Sequence, residues 1–341
     1  MTRTLLRRKN IPWLRLLIGL LAGLFGLWFI TRNLEFSDVQ EAFGRAKMGY
    51  IVLAVGVILT TILTKTWRWQ LLFINNGRLL QEEEAAPALP SLPALFWPLI
   101  LGQFINAVSP VRVGELARVI ALERETGIDK VQGLGTLVVE KTLDIIALVL
   151  TLFLILPTVV LPASLTLASR GEIMALTAVF LFGLLLIFAY FRERITKLAS
   201  RIIRRLPARL QNPLMRLIVS GLTGLSALRQ PRQLLVLTFI SAVIMVLHIL
   251  TPYVLFFTFG LPFGLKEAAL LHLTLNIISQ LPASSPVNVG IFEGLVAFML
   301  NQFGLNDNAA ILSYAIVYHL VVVMPQIVLG SFSVIRKYEI E

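Results

Sequence analysis

Hydrophobic positions in this chain form long unbroken blocks, not the one-sided stripes of soluble helices. A block of roughly 20 apolar residues predicts a helix that crosses a membrane. Uncharged blocks near or above that length begin at Ile145, Ile173, Gln233 and Asn308. Two shorter ones, Leu16 to Thr31 and Met48 to Thr64, reach spanning length if Arg15, Lys65 and Arg68 carry their charges out to the headgroups and Trp67 and Trp69 sit at the interface. That makes six spans. Two further apolar stretches are interrupted by one repeated phrase. Ser109-Pro110-Val111-Arg112-Val113-Gly114-Glu115 breaks the first, and Ser285-Pro286-Val287-Asn288-Val289-Gly290, with Glu293 three residues on, breaks the second, 176 positions later. Serine before proline is a helix-start signal, so each phrase predicts a helix that stops and restarts at membrane depth, with the serine as N-cap. Paired broken helices in the two halves of a membrane protein point to a transport site.

Composition agrees with a membrane protein: 57% of residues are hydrophobic, 14% are charged, and mean hydropathy is +0.83. The basic N-terminus (Arg3, Arg7, Arg8, Lys9) ahead of the first block has the look of a signal peptide, but no small-residue cleavage site follows Thr31, and the block is read as a retained anchor. Cysteine is absent, which removes disulfide and thiol chemistry.

The net charge of +11 is placed unevenly and sets the orientation. Ten Lys or Arg residues and one acid, Glu193, lie between Arg192 and Arg232, so this loop is expected in the cytoplasm with the N-terminus and the Arg336-Lys337 end. Within it Leu206, Leu210, Leu214, Leu217 and Ile218 recur at helical spacing, as in a helix lying on an anionic leaflet. No aromatic interleaving or binding motif accompanies the arginines, so nucleic acid is not expected as a partner. Parity then fixes the broken segments. If each crossed the membrane as one span, the basic loop would face outward. If each enters and leaves on one side, six spans keep the loop and both termini inside. Ala94 to Val108 reaches only about 22 Å at ~1.5 Å per residue, short of a ~30 Å core. The expected fold is therefore all-α and polytopic, with six full spans and two oppositely oriented re-entrant helix pairs in an inverted repeat. Residues 1–341 form a single integral membrane domain: repeat A at about 48–156, the basic loop at 192–232, and repeat B at about 233–334. The first pair dips in from the cytoplasm and the second, Glu267 to Phe303, from outside. The two tips meet at a central cavity, since non-helical backbone at that depth needs protein or water partners.

Candidate chemistry concentrates at those tips. Arg112, Glu115 and Arg118 are spaced i,i+3, so they can pair with one another and leave one cation over. Two roles follow: an ion cluster that braces the helix, or a cation beside a helix N-terminus that holds an anionic head group. Glu140 and Asp144 share a helix face at i,i+4 and need a cation between them, from Lys141 or from an arginine of the re-entrant helix, as bracing or as a proton relay. Glu293, with Asn288 and without a nearby arginine, is either a coupling carboxylate or the partner of Arg112 across the repeat. Gly114 and Gly290 complete the candidate site. His248, His272 and His319 fall in three helices without ligand spacing, so no metal site is expected. No P-loop, GxGxxG or nucleophile elbow is present, so ATP-driven transport and the common enzyme chemistries are not expected, and no cofactor is.

These residues give the chain a resemblance to the membrane part of the lysylphosphatidylglycerol synthase and flippase family, covering roughly 15 to 335. It rests on Pro110-Val111-Arg112-Val113-Gly114-Glu115 with Arg118, on Glu140-Lys141 with Asp144, and on Pro286 to Glu293. Lys141 stands where an arginine is usual, and Pro286-Val287-Asn288 replaces the family's Pro-Gly-Gly. The resemblance implies movement of an anionic, glycosylated or aminoacylated lipid between leaflets of the cell membrane without ATP. With the sequence ending at Glu341, synthase activity is not expected to come with it. A membrane-embedded lipid-linked transferase and a non-transporting accessory subunit of a lipid-modifying enzyme stand as alternatives.

Overall fold

The computed structural model describes residues 44, 46–73, 89–109, 113–155, 190–204, 231–279 and 288–338, with single positions between 207 and 218. The expected spans at 16–31 and from Ile173, most of the arginine-rich loop, and Arg112 lie outside the described residues.

Nine α-helices occur among the described residues: α1 Met48–Phe73, α2 Leu92–Val108, α3 Gly114–Thr126, α4 Lys130–Ile155, α5 Arg192–Ile203, α6 Pro231–Thr258, α7 Leu265–Ser279, α8 Ile291–Gln302 and α9 Asn308–Tyr338. Met48–Phe73, Arg232–Thr258 and Asn308–Arg336 are long and apolar enough to cross a membrane. α4, with 26 residues, has the length as well but carries charges in its first half. The protein is thus an all-α, polytopic membrane protein. Polar residues survive inside these apolar helices because their donors turn back onto the backbone. Thr60, Thr61, Thr64 and Thr66 of α1 each donate to the carbonyl four residues earlier, at 2.8–2.9 Å.

The short helices pack in pairs. α2 starts at its N-cap Ser91, whose hydroxyl accepts from the Ala94 amide, with proline in the first turn. It ends at Ser109, which is extended at φ −96° and ψ 135°. This corrects the expected N-cap role of Ser109. The residue before a proline is driven out of the helical region, so Ser109 closes the preceding helix. The restart comes at Gly114, with Val113 as N-cap and no side-chain cap. α3 then stops at Gly127, left-handed at φ 71°. In the second pair the restart is likewise at the glycine of the phrase, Gly290, where α8 begins.

Contacts at the helix ends fix which ends lie together. Arg336, near the end of α9, is 3.8 Å from Glu125 at the end of α3 and stacks over Trp97 near the start of α2 at 5.4 Å. The start of α2 and the end of α3 therefore share one end of the bundle. The start of α7 and the end of α8 share an end too, since Phe263 and Phe303 meet edge-on at 5.6 Å. That end is also the start of α9, which begins five residues after Phe303. Lengthwise pairing of α1 with α6 ties the two halves: Gln233 donates to the Leu71 carbonyl at 3.0 Å, and at the other end the Lys47 amide donates to the Thr258 carbonyl at 3.0 Å. One apolar core gathers around Trp69, Leu99, Leu122 and Val139, another around Phe256, Leu271, Val296 and Tyr314. Polar side chains collect between them.

Candidate functional site

A cavity of about 380 Å³ opens between α1, α2, α3, α4, α6, α7 and α9, with the tip residue Asn288 and Phe292 of α8 in its wall. Of the sequence-derived candidates, Glu115, Arg118, Glu140, Asp144 and Asn288 line it. Gly114, Gly290 and Glu293 are not in the lining and build the tips behind it.

At the first tip, glycine allows close approach. A Cβ on Gly114 would collide with the Gly102 carbonyl and with the Asn106 side chain, and a Cβ on Gly102 would stand 2.8 Å from the Gly114 carbonyl. The Gly114 amide, at a helix start where no intrahelical acceptor is available, donates to Asn106 Oδ1 at 2.8 Å. The second tip meets the same need differently. The Gly290 amide donates to Glu293 Oε2 at 2.7 Å, which also places a carboxylate in the first turn of α8. Asn288 is the one non-glycine residue with positive φ among the described residues, at 58°. Asparagine tolerates that left-handed conformation, which is how it stands in for a glycine here.

The charged residues form a network of three short pairs, with Arg68 also 3.9 Å from Glu140. Arg118 binds Glu140 through both terminal nitrogens, at 3.0 and 2.9 Å, and its guanidinium lies 3.7 Å from the centroid of the Trp69 ring. Trp69 is fixed in turn by donating to Thr136 Oγ1 at 2.9 Å. Arg68 reaches Asp144 at 2.7 Å and donates to Ser241 Oγ at 2.9 Å, linking α1, α4 and α6. Lys141 pairs with Glu115 at 2.9 Å. The Glu115–Arg118 contact within α3 is only marginal at 4.0 Å. Of the two partners open to Glu140 and Asp144, the re-entrant arginine is the one Glu140 takes, and Asp144 takes Arg68.

Arg68 and Trp69 therefore turn into the protein, where the sequence suggests side chains reaching out to the headgroups. Both are 0% exposed, whereas Trp67 is 48% exposed. The reason lies on α4: a buried Glu140 and a half-buried Asp144 draw the arginine inward, and an ion pair within protein costs far less than an unpaired charge. A local signal for this exists in the polar stripe Thr61, Lys65 and Arg68, at i, i+4 and i+7 on α1.

Glu293 has a partner that no spacing in the sequence indicates. Its Oε1 lies 2.6 Å from His319 Nδ1 on α9, and the His319 ring stacks on Phe292 at 4.5 Å. Buried Glu293 is thus held by its own helix start and by α9. His248 and His272 also come together, with ring centroids 5.0 Å apart, and both line the cavity. Among the described residues no group of three or more His, Asp or Glu side chains could hold a metal ion.

This arrangement offers a polar, charge-lined cavity between apolar helices, enclosed by two helix tips. Such a cavity suits the polar head of an amphiphile. No curated protein matches the chain. The match to a known family is extensive, however, and the chain belongs to the family described as Lysylphosphatidylglycerol synthase TM region, which it matches over residues 13–330.

Proposed function

We propose that the protein translocates a lipid between membrane leaflets without ATP, passing its head group through the central cavity while the acyl chains stay in the bilayer. The family match over residues 13–330 supports a role in handling membrane lipids. The observation that carries the reading is the cavity itself. Lys65, Lys141, Glu115 and Asp144 line a space of about 380 Å³ between helices long enough to cross a bilayer. A charged group at membrane depth costs about 2.5–3.5 kcal/mol facing lipid, so a path for a charged head needs compensating groups along it, and these residues supply both signs. The preferred cargo has an anionic head, because among the described residues Lys65 is a lining cation without an ion pair.

The reading includes a topology: six spans, two re-entrant pairs of opposite orientation, an inverted repeat within one membrane domain, and cytoplasmic termini. Its support is geometric. α2 with α3 and α7 with α8 each begin and end on one side, at opposite ends of α9. Each of the four, at 12 to 17 residues, spans about 18–25 Å at ~1.5 Å per residue, too short to cross.

Purified protein in liposomes tests the function. Flipping of fluorescent phosphatidylglycerol should accelerate equally with and without ATP. No acceleration across a panel of anionic and glycosylated lipids would overturn the proposal.

A further inference from the structure

Ion pairs use up most of the cavity's charge. Arg118 goes to Glu140, Lys141 to Glu115, and Arg68 to Asp144. Lys65 remains. Among the described residues its ammonium forms no ion pair, although its chain lines the cavity beside Asp144, and it lies eight residues before the end of α1, a helix long and apolar enough over Met48–Phe73 to cross a membrane. An ammonium in such a helix is retained only where something uses it.

What surrounds Lys65 differs from the rest of the wall. Across from α1, α6 and α7 bring His248 and His272 together at 5.0 Å, both within electrostatic reach of Lys65. Nε2 of His272 is buried and has no hydrogen-bond partner among the described residues. A buried polar nitrogen left so is costly, and few native groups are. Thr251, one helical turn after His248, and Asn276, one turn after His272, continue the polar strip along the same wall. This side of the cavity therefore presents N–H and ammonium donors without a lining carboxylate of its own on α6 or α7. The opposite side, on α3 and α4, is where the acids lie.

We infer that Lys65, His248 and His272 form a phosphate subsite, which takes the phosphate of a lipid head group while the ion-paired wall faces the remainder of that head. A phosphate oxyanion accepts from an ammonium and from neutral imidazole N–H groups alike, so the subsite needs no change in histidine charge to work. The inference rests on the translocation reading for its lipid, but the subsite is a binding site in its own right and can be measured without transport.

The test is equilibrium binding to purified full-length protein in detergent. Three probes are compared: short-chain dihexanoyl phosphatidylglycerol, inorganic phosphate, and a phosphate-free alkyl glucoside of similar tail length. Wild-type protein should bind the phospholipid, and Lys65→Gln should weaken it about tenfold or more, the loss of roughly 1.4 kcal/mol of contact. His272→Phe should weaken it several-fold, with the glucoside unaffected in both. Lys65 breaks no ion pair when replaced, so thermal unfolding of Lys65→Gln should match wild type; Lys65→Arg, which keeps the charge, should recover most of the binding. If inorganic phosphate binds as well as the phospholipid and is lost in the same variants, the phosphate subsite stands and its natural source is a soluble anion. Equal loss for the glucoside, or unchanged phospholipid binding in both variants, overturns the subsite. Selective binding loss combined with no wild-type flipping in liposomes would leave the subsite standing and remove the translocation reading.

Discussion

Arg118 and Glu140 meet in a two-pronged, almost fully buried ion pair, at 3.0 and 2.9 Å, with the guanidinium over Trp69. The pair joins the first tip to α4, and the other charges in reach, Arg68 at 3.9 Å from Glu140 and Glu115 at 4.0 Å from Arg118, make only long contacts. Removing one side strands a buried charge, which typically costs about 3–5 kcal/mol. Arg118→Gln should therefore lower the unfolding free energy by about that amount in detergent denaturation. Arg118→Lys should recover little, because an ammonium makes one contact where the guanidinium makes two and stacks. Replacing both partners, as Arg118→Met with Glu140→Leu, should be milder than Arg118→Gln alone, since no charge is then left unpaired. A double variant worse than the single would show that the pair has a role other than bracing.

Close approach at the first tip makes a second prediction. Gly114→Ala puts a methyl group into the Gly102 carbonyl and Asn106, whereas a methyl group at Gly56 on α1 would meet nothing within 4 Å. Gly114→Ala should destabilise by about 1–3 kcal/mol, in the range of overpacked sites. Gly56→Ala should be neutral or slightly stabilising, because alanine is the better helix former by up to ~1 kcal/mol. Unfolding temperatures of the two variants, measured side by side, check this. Equal effects would mean the two helices of the first pair are free to part.

The contrast between these tips and the ion network shows what can be read from the chain. Helix breaks are legible because proline and glycine act on their own backbone. Even so, the restart is misplaced by the local signal: Ser109 has the makings of an N-cap, but Pro110 pushes it into extended geometry and leaves it closing α2. Glu140 and Arg118 can be named as partners because charges in the first half are few. Arg68 with Asp144, on helices far apart in sequence, and Glu293 with His319, on consecutive helices, cannot, since no local spacing encodes which faces of two helices pack together. For Arg68, apolar neighbours and flanking tryptophans suggest a span end instead.

Glu293 does two things at once, and substitutions can separate them. Its Oε2 satisfies the Gly290 amide and its Oε1 meets His319. Glu293→Ala loses both, and loss of a helix-start acceptor costs about 0.5–2 kcal/mol. Glu293→Gln keeps an acceptor for Gly290 and removes the charge opposite His319. Unfolding should therefore show Glu293→Ala clearly less stable than Glu293→Gln. If the carboxylate matters for translocation, flipping in liposomes should fall in both variants, including the well-folded Gln form. Wild-type flipping by Glu293→Gln would confine Glu293 to holding the second tip.

The orientation of the two tips can be checked on the intact protein because the sequence holds no cysteine to interfere. Glu125, at the end of α3, and Asn306, after α8, are both exposed. Glu125 gives up only a 3.8 Å contact to Arg336 near the surface, the kind of pair worth ~0–1 kcal/mol, so its replacement is mild. In the proposed topology Glu125 faces the cytoplasm, since Arg336 beside it leads into the basic C-terminal end, and Asn306 faces outward at the far end of α9. A membrane-impermeant thiol reagent applied to intact cells should label Asn306→Cys and spare Glu125→Cys. Opening the cytoplasmic side should then expose Glu125→Cys, together with Arg204→Cys in the turn after α5. Labelling of positions 125 and 306 from the same face would remove the opposite orientation of the two pairs, and with it the reason to expect both tips at one cavity from opposite sides of the membrane.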